Sequence, residues 1–336
     1  MPKAFISGCA GLELSPDERA FLSDADPWGL ILFKRNVADR DQLRALTQTF
    51  RACVGRPDAP VLIDQEGGRV QRLGPPHWLS YPAAGRIGAE FAPEDAAAAA
   101  RLIGRLIAHD LREVGITVDC APVLDVADPG AHAVIGTRAW SESPERVTAL
   151  GRAFAAGLLA GGVAPVVKHM PGHGRARADS HHELPVVEAS REALERDFAP
   201  FRALADLPMA MTAHVIYRAL DPDYPATASR RIVEEVMRGS IGFSGLIMSD
   251  DVSMNALHGS FEDRAGNIFA AGLDVALHCN GNLDEARAVA SVTPPLAGES
   301  ARRAEAAIAA TRPPEPLDLE EARAELAAIV ATLGRL

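Results

Sequence analysis

The sequence predicts an α/β protein, a single-domain TIM-type (β/α)8 barrel over residues 1–336, and three observations predict it. Eight short apolar runs recur with turn residues around them, amphipathic helical patterns lie between most of them, and run after run closes on an ionisable residue. Strands that are apolar along nearly their whole length imply a parallel sheet whose outer face is covered by helices. An open doubly wound sheet is the rival fold, but no GxGxxG follows the first strand and no GxxxxGK(S/T) phosphate loop occurs.

The elements run as follows along the chain. AFISG (4–8) is the first strand, and the helix over SPDERAFLSDA (15–25) opens on a Ser cap with acids behind it. GLILF (29–33) is the second strand, and DRDQLRALTQTFRACV (39–54) is its helix, from an Asp cap to a terminal Gly. PVLID (60–64) is the third. PEDAAAAARLIGRLIAHDLREVG (93–115), with apolar positions three and four apart, precedes ITVDCAPVLD (116–125), the fourth strand. SPERVTALGRAFAAGLLAGG (143–162) leads into APVVKH (164–169), and EALERDFAPFRALAD (192–206) leads into MAMTAH (209–214). GLIMSD (245–250) and GLDVALH (272–278) complete the eight. The Pro-rich TRPPEPLDL (311–319) introduces a C-terminal helix, not a second domain, and no linker, low-complexity tract or short-period repeat is found.

Composition narrows the partners. A hydrophobic content of 48% supplies ample core, and a net charge of -11 argues against binding to nucleic acid or to an anionic membrane. The longest apolar run, 153–167, is broken by Gly and Pro and falls short of the roughly 20 residues a membrane span needs. The opening MPKAFISG lacks the basic region and apolar core of a secretory signal. Cys9, Cys53, Cys120 and Cys279 show no CxxC pairing and read as reduced thiols. No exposed apolar helix pattern demands a second subunit. The expectation is a cytoplasmic monomer whose partner is a small molecule.

Asp64, Asp125, Lys168 with His169, His214, Asp250 and His278 all stand at strand ends, and in a barrel these positions converge on the rim where active sites are built. In DQEGGRVQRL (64–73), Asp64, two glycines that permit close backbone approach, Arg69 and Arg72 suit a clamp for the hydroxyls of a polyhydroxylated ligand. In MSDDVSM (248–254), Asp250 and Asp251 point in different directions, so one can react while the other braces the loop or caps a helix, the role expected of Asp251.

Other chemistries compete for the same residues. His169, His173, His181, His182 and His214 are candidate metal ligands, which keeps a metal-dependent barrel hydrolase as the alternative, but HxxxH presents both rings from a helix and PGHG forbids one. Lys168 at a strand end could form a Schiff base, and Ser180 lies between Asp179 and His181 without any GxSxG around it. A catalytically silent sugar-binding barrel is a third reading.

Taken together, DQEGGRVQRL, APVLDV, VIGTR, KHMPGHG, ADSHHELP and MSDDVSM, in that order over nearly the whole chain, resemble the bacterial β-N-acetylhexosaminidases of glycoside hydrolase family 3. Met170, where many members carry Phe or Ile, and Val252 with Ser253 in place of the commoner Leu-Ser, depart from the family pattern without touching a reacting group. The resemblance implies a cytoplasmic enzyme of peptidoglycan recycling that removes terminal N-acetylglucosamine from muropeptide fragments with retention of configuration and without metal or cofactor. It implies that Asp250 is the nucleophile, His181 the general acid/base and Asp179 the acidic partner of that histidine. It places Asp64, Arg72, Arg138, Lys168 and His169 among the residues that bind the sugar. Histidine suits the acid/base role because its unperturbed pKa of about 6.5 makes both protonation states accessible near neutral pH.

Overall fold

The computed structural model describes residues 1–130, 133–178 and 184–334. Eight parallel strands close a barrel: β1 (Lys3–Gly8), β2 (Pro27–Leu32), β3 (Val61–Ile63), β4 (Val118–Asp119), β5 (Ala164–Met170), β6 (Met209–Thr212), β7 (Leu246–Asp251) and β8 (Val275–His278). They follow sequence order around the ring, and β8 pairs with β1 through Phe5 beside Ala276 and Ile6 beside Leu277. Each predicted strand is present.

Burial on both faces explains the apolar runs. Along β1, Ala4 and Ile6 enter the barrel interior while Phe5 joins the layer under the helices, and along β7 Leu246 and Met248 point inward while Ile247 points out. The helices begin where the capping chemistry puts them: the Ser15 side chain accepts from the Glu18 backbone N–H, Asp39 from Asp41 and Gln42, and Ser143 from Arg146. The C-terminal helix Leu319–Leu333 lays Ala322, Leu326 and Leu333 into the outer core, and the Glu315 N–H donating to the Ala160 carbonyl at 2.8 Å ties down the Pro-rich segment before it. Among the described residues no helix is long and apolar enough to cross a membrane. All four cysteines are free thiols.

The fourth strand is shorter than the sequence suggests. The regular strand ends at Asp119; Pro122 has no N–H to offer, and beyond it the chain stays beside β5 through a bridge between Val123 and Lys168 and through single hydrogen bonds, Val166 N–H to the Ala121 carbonyl, Lys168 N–H to the Pro122 carbonyl and Leu124 N–H to the Lys168 carbonyl. Asp125 therefore lies beyond the strand, not at its last residue.

Candidate active site

The cleft at the C-terminal ends of the strands is built from segments far apart in sequence. Asp64 follows β3 directly. The chain then folds into a tight hairpin, Gln65–Gly67 against Val70–Gln71, that swings Arg72 back over it. Gly67 and Gly68 both take positive φ (91° and 57°), and a Cβ on Gly67 would sit 2.6 Å from the Pro82 carbonyl oxygen. The glycines thus serve a close approach of the chain to itself.

Arg138 comes from the 3-10 turn Gly136–Arg138 beyond β4. Lys168 and His169 are neighbours on β5, joined by a cis peptide bond where pairing with β6 loses register, and both line the cleft. Asp250 is the penultimate residue of β7, with its Oδ1 accepting the Asp251 backbone N–H at 2.8 Å. Asp64, Arg72, Arg138, Lys168, His169 and Asp250 line one cavity of about 530 Å³, within the range of small-molecule sites. Of the predicted site residues, Asp179 and His181 lie outside the described residues.

Charges in the wall are paired before any ligand arrives. The two carboxylate oxygens of Asp64 accept from Lys168 Nζ at 2.7 Å and Arg72 Nη2 at 3.0 Å. Behind them lies Glu66, which sequence reasoning missed as a separate residue: it takes Nε and Nη2 of Arg138 in a fork, both at 2.8 Å, and Lys168 Nζ at 2.6 Å. Its signal was present, since alternation along DQE puts residues 64 and 66 on one side. Burial alone would raise both carboxyls, yet Lys168 and Arg72 hold Asp64 well below the usual carboxylate range, and Arg138 and Lys168 bring Glu66 down to about 2. Burial likewise opposes the charge on Lys168, but Asp64 and Glu66 outweigh it and raise its pKa.

These shifts fix the sign of a pH effect. Carboxyls whose folded values are depressed stabilise the fold above the unfolded value of about 4, and that contribution is lost as pH falls through the folded values. Lys168 acts in the opposite sense, losing its contribution only as alkaline pH passes its raised value. Glu66→Gln should lower the unfolding free energy at pH 7 by about 3 kcal/mol, since it leaves buried cations short of a partner. In denaturant melts the gap to the parent should narrow between pH 4 and 2.5; a gap constant over that range would rule out the ion-pair explanation.

Other strand-end residues stand behind the cleft. Asp125 accepts from His169 Nδ1 at 2.7 Å. Asp119 is fully buried, accepts the Gln65 N–H at 2.9 Å, and is pushed well above the carboxylate range by burial. His214 and His278 stand at the strand ends as expected but are buried beside the cleft and do not line it: His214 Nε2 faces the Asp251 carbonyl at 3.0 Å and His278 Nε2 faces Glu285 at 3.3 Å. Asp251 caps no helix, because the next one, Phe261–Ala271, is capped by Ser260. Asp251 instead braces its loop, accepting from the Ser253 hydroxyl and N–H and from the Cys279 N–H. Arg69 donates to the carbonyls of Ala133, Val134 and Ile135 and so holds that loop to the cleft edge. Arg175 is a structural tie to Asp197 and Asp128, whereas Arg177 is exposed. Among the described residues no group of three or more His, Cys, Asp or Glu side chains is placed to share a metal ion.

Comparison with known proteins agrees with the fold. Residues 7–308 match the glycosyl hydrolase family 3 N-terminal domain. The chain is 44% identical over 282 residues to a β-hexosaminidase of Alkalilimnicola ehrlichii, covering 82% of this chain and 80% of that one. It is 41% identical over 304 residues to a β-hexosaminidase of Pseudomonas aeruginosa, covering 88% and 89%. The fold is similar to the crystal structure of NagZ from Neisseria gonorrhoeae in complex with N-trifluoroacetyl-D-glucosamine, with a TM-score of 0.85, 34% identity, and 99% and 98% of the two chains covered.

Proposed function

This chain belongs to glycosyl hydrolase family 3, and we propose that it is a retaining exo-β-N-acetylglucosaminidase that frees terminal N-acetylglucosamine from muropeptide fragments such as N-acetylglucosaminyl-anhydromuramyl peptides. One observation carries the reading: the cleft sets the Asp250 carboxylate, near the end of a rigid strand, opposite a prepaired cluster of Asp64, Arg72, Lys168, Arg138 and His169. Cations tied to carboxylates are held in place, and their remaining N–H bonds, with the acceptor atoms beside them, suit the hydroxyls and amide of an aminosugar. The acylated glucosamine named with the Neisseria relative supports that substrate class. Four free thiols support a reducing, cytoplasmic setting.

In this reading Asp250 attacks C1 as the glycosidic bond breaks, giving a covalent glycosyl-enzyme that water then releases with the original configuration. His181 protonates the departing oxygen and later takes the proton from water, and Asp179 accepts a hydrogen bond from its ring. The test is to trap the intermediate with a slow 5-fluoro N-acetylglucosaminyl substrate and map the labelled peptide. The label belongs on Asp250, and a label elsewhere or an inverted anomer by NMR refutes the scheme. Turnover should also be unchanged after exhaustive EDTA treatment, because the cleft carboxylates spend their oxygens on lysine, arginine, imidazole and backbone donors; loss restored by one divalent metal would favour the metal-dependent hydrolase instead.

A further inference from the structure

Asp125 does not line the cleft, yet its carboxylate accepts from two residues that do, His169 and His173. Its Oδ1 accepts the backbone N–H of His169 at 3.2 Å and of His173 at 2.6 Å, and its Oδ2 lies 2.7 Å from His169 Nδ1. An ionised carboxylate only accepts, so the proton in that last contact sits on Nδ1. Across the ring, Arg138 Nη2 stands 3.4 Å from Nε2. A guanidinium only donates, so Nε2 must meet it with a lone pair. Arg138 is not free to turn away, because Glu66 grips its Nε and Nη2.

We infer that Asp125 is a positioning residue that, with the Glu66–Arg138 pair opposite, fixes His169 as the Nδ1–H tautomer, so that Nε2 is an acceptor and selects a sugar bearing a hydroxyl that donates to it. The inference rests on the cleft being the sugar site. His169 then does what its neighbours cannot. Lys168, Arg72 and Arg138 offer only donors, Asp64 and Asp250 accept as anions, and this imidazole accepts without adding negative charge. At 3.4 Å the Arg138 contact is long enough for a hydroxyl to take over the lone pair. A substituent that accepts but cannot donate, such as fluorine or an O-alkyl group, would be refused there.

Long-range 15N–1H correlation of the ring nitrogens in histidine-labelled protein reads the tautomer directly, with the His169 signals identified by their loss in His169→Gln. The expected pattern is a protonated Nδ1 and an unprotonated Nε2; a proton on Nε2 overturns the inference. In Asp125→Asn the side-chain amide can donate to Nδ1, and the proton should move to Nε2; a proton still on Nδ1 removes Asp125 from its assigned role. Kinetics give the second readout. With N-acetylglucosaminides carrying H in place of one ring hydroxyl at a time, the parent should lose roughly tenfold in kcat/KM at one position. In Asp125→Asn that penalty should shrink to within about twofold, whereas a merely structural carboxylate would slow every substrate and leave the penalty unchanged. If no N-acetylglucosaminide is turned over, the sugar reading fails while the ring spectra still decide the tautomer.

Discussion

Asp250→Ala is expected to lower kcat/KM for an aryl N-acetyl-β-glucosaminide by about 10^4-fold or more. The position explains so large an effect. Asp250 lies near the end of a strand whose neighbours on both sides are barrel strands, β6 and β8, so its carboxylate reaches the cleft from a fixed base. Removing it takes away the bond-forming oxygen itself, and the other carboxylates lining the cleft among the described residues are engaged: Asp64 by Lys168 and Arg72, and Asp251 by Ser253 and the Cys279 N–H. The fold should survive, because the side chain is only partly buried and accepts from its own neighbour's N–H, and thermal midpoints should agree within about 2 °C.

A small anion separates this role from a general loss of shape. Azide can enter the space left by the carboxylate and attack C1 from the face opposite the leaving group, so Asp250→Ala with azide should yield the glycosyl azide of inverted configuration. Restored turnover giving the retained azide would mean that the glycosyl-enzyme still forms on another residue. Residual activity above about 1% of the parent, without azide and after removal of any parent protein, would have the same meaning.

The barrel was legible because a parallel strand buried on both faces leaves a signature that no surface element imitates: IMS before Asp250 or VVK before His169 has no solvent side to encode. Caps were legible for an equally local reason, since Ser15, Asp39 and Ser143 satisfy N–H groups only two or three residues away. What escaped the sequence depends on partners far along the chain. Glu66 acquires its role from Arg138, 72 residues on; alternation along DQE puts it on the side of Asp64 but does not name the cation that it holds. His214 and His278 show the converse limit: a polar residue at a strand end is equally suited to line the cleft or to make a buried contact beside it, and only packing decides. The end of β4 was misplaced because Pro122, which lacks an N–H, makes the pairing irregular while the apolar pattern runs on to Asp125.

The second large effect concerns His181 and has a different shape. His181→Gly should slow a substrate with an unactivated sugar leaving group by about 10^3-fold, while a dinitrophenyl glycoside, whose leaving oxygen needs no proton, loses far less in kcat/KM. With the activated substrate, attack by Asp250 proceeds and hydrolysis of the glycosyl-enzyme lacks its base, so a burst of phenol and an accumulated intermediate are expected. Azide should then capture that intermediate from the open face and give the azide of retained configuration, opposite to the product of Asp250→Ala. Asp179→Asn should show the same leaving-group dependence at smaller amplitude, because it alters the orientation of the ring and leaves the ring in place. Equal losses for activated and unactivated leaving groups in His181→Gly would remove the imidazole from proton transfer. Asp250 would then need another acid, and among the cleft residues His173, already lowered by burial and by His169 to a pKa of about 4, is poorly suited to hold a proton at neutral pH.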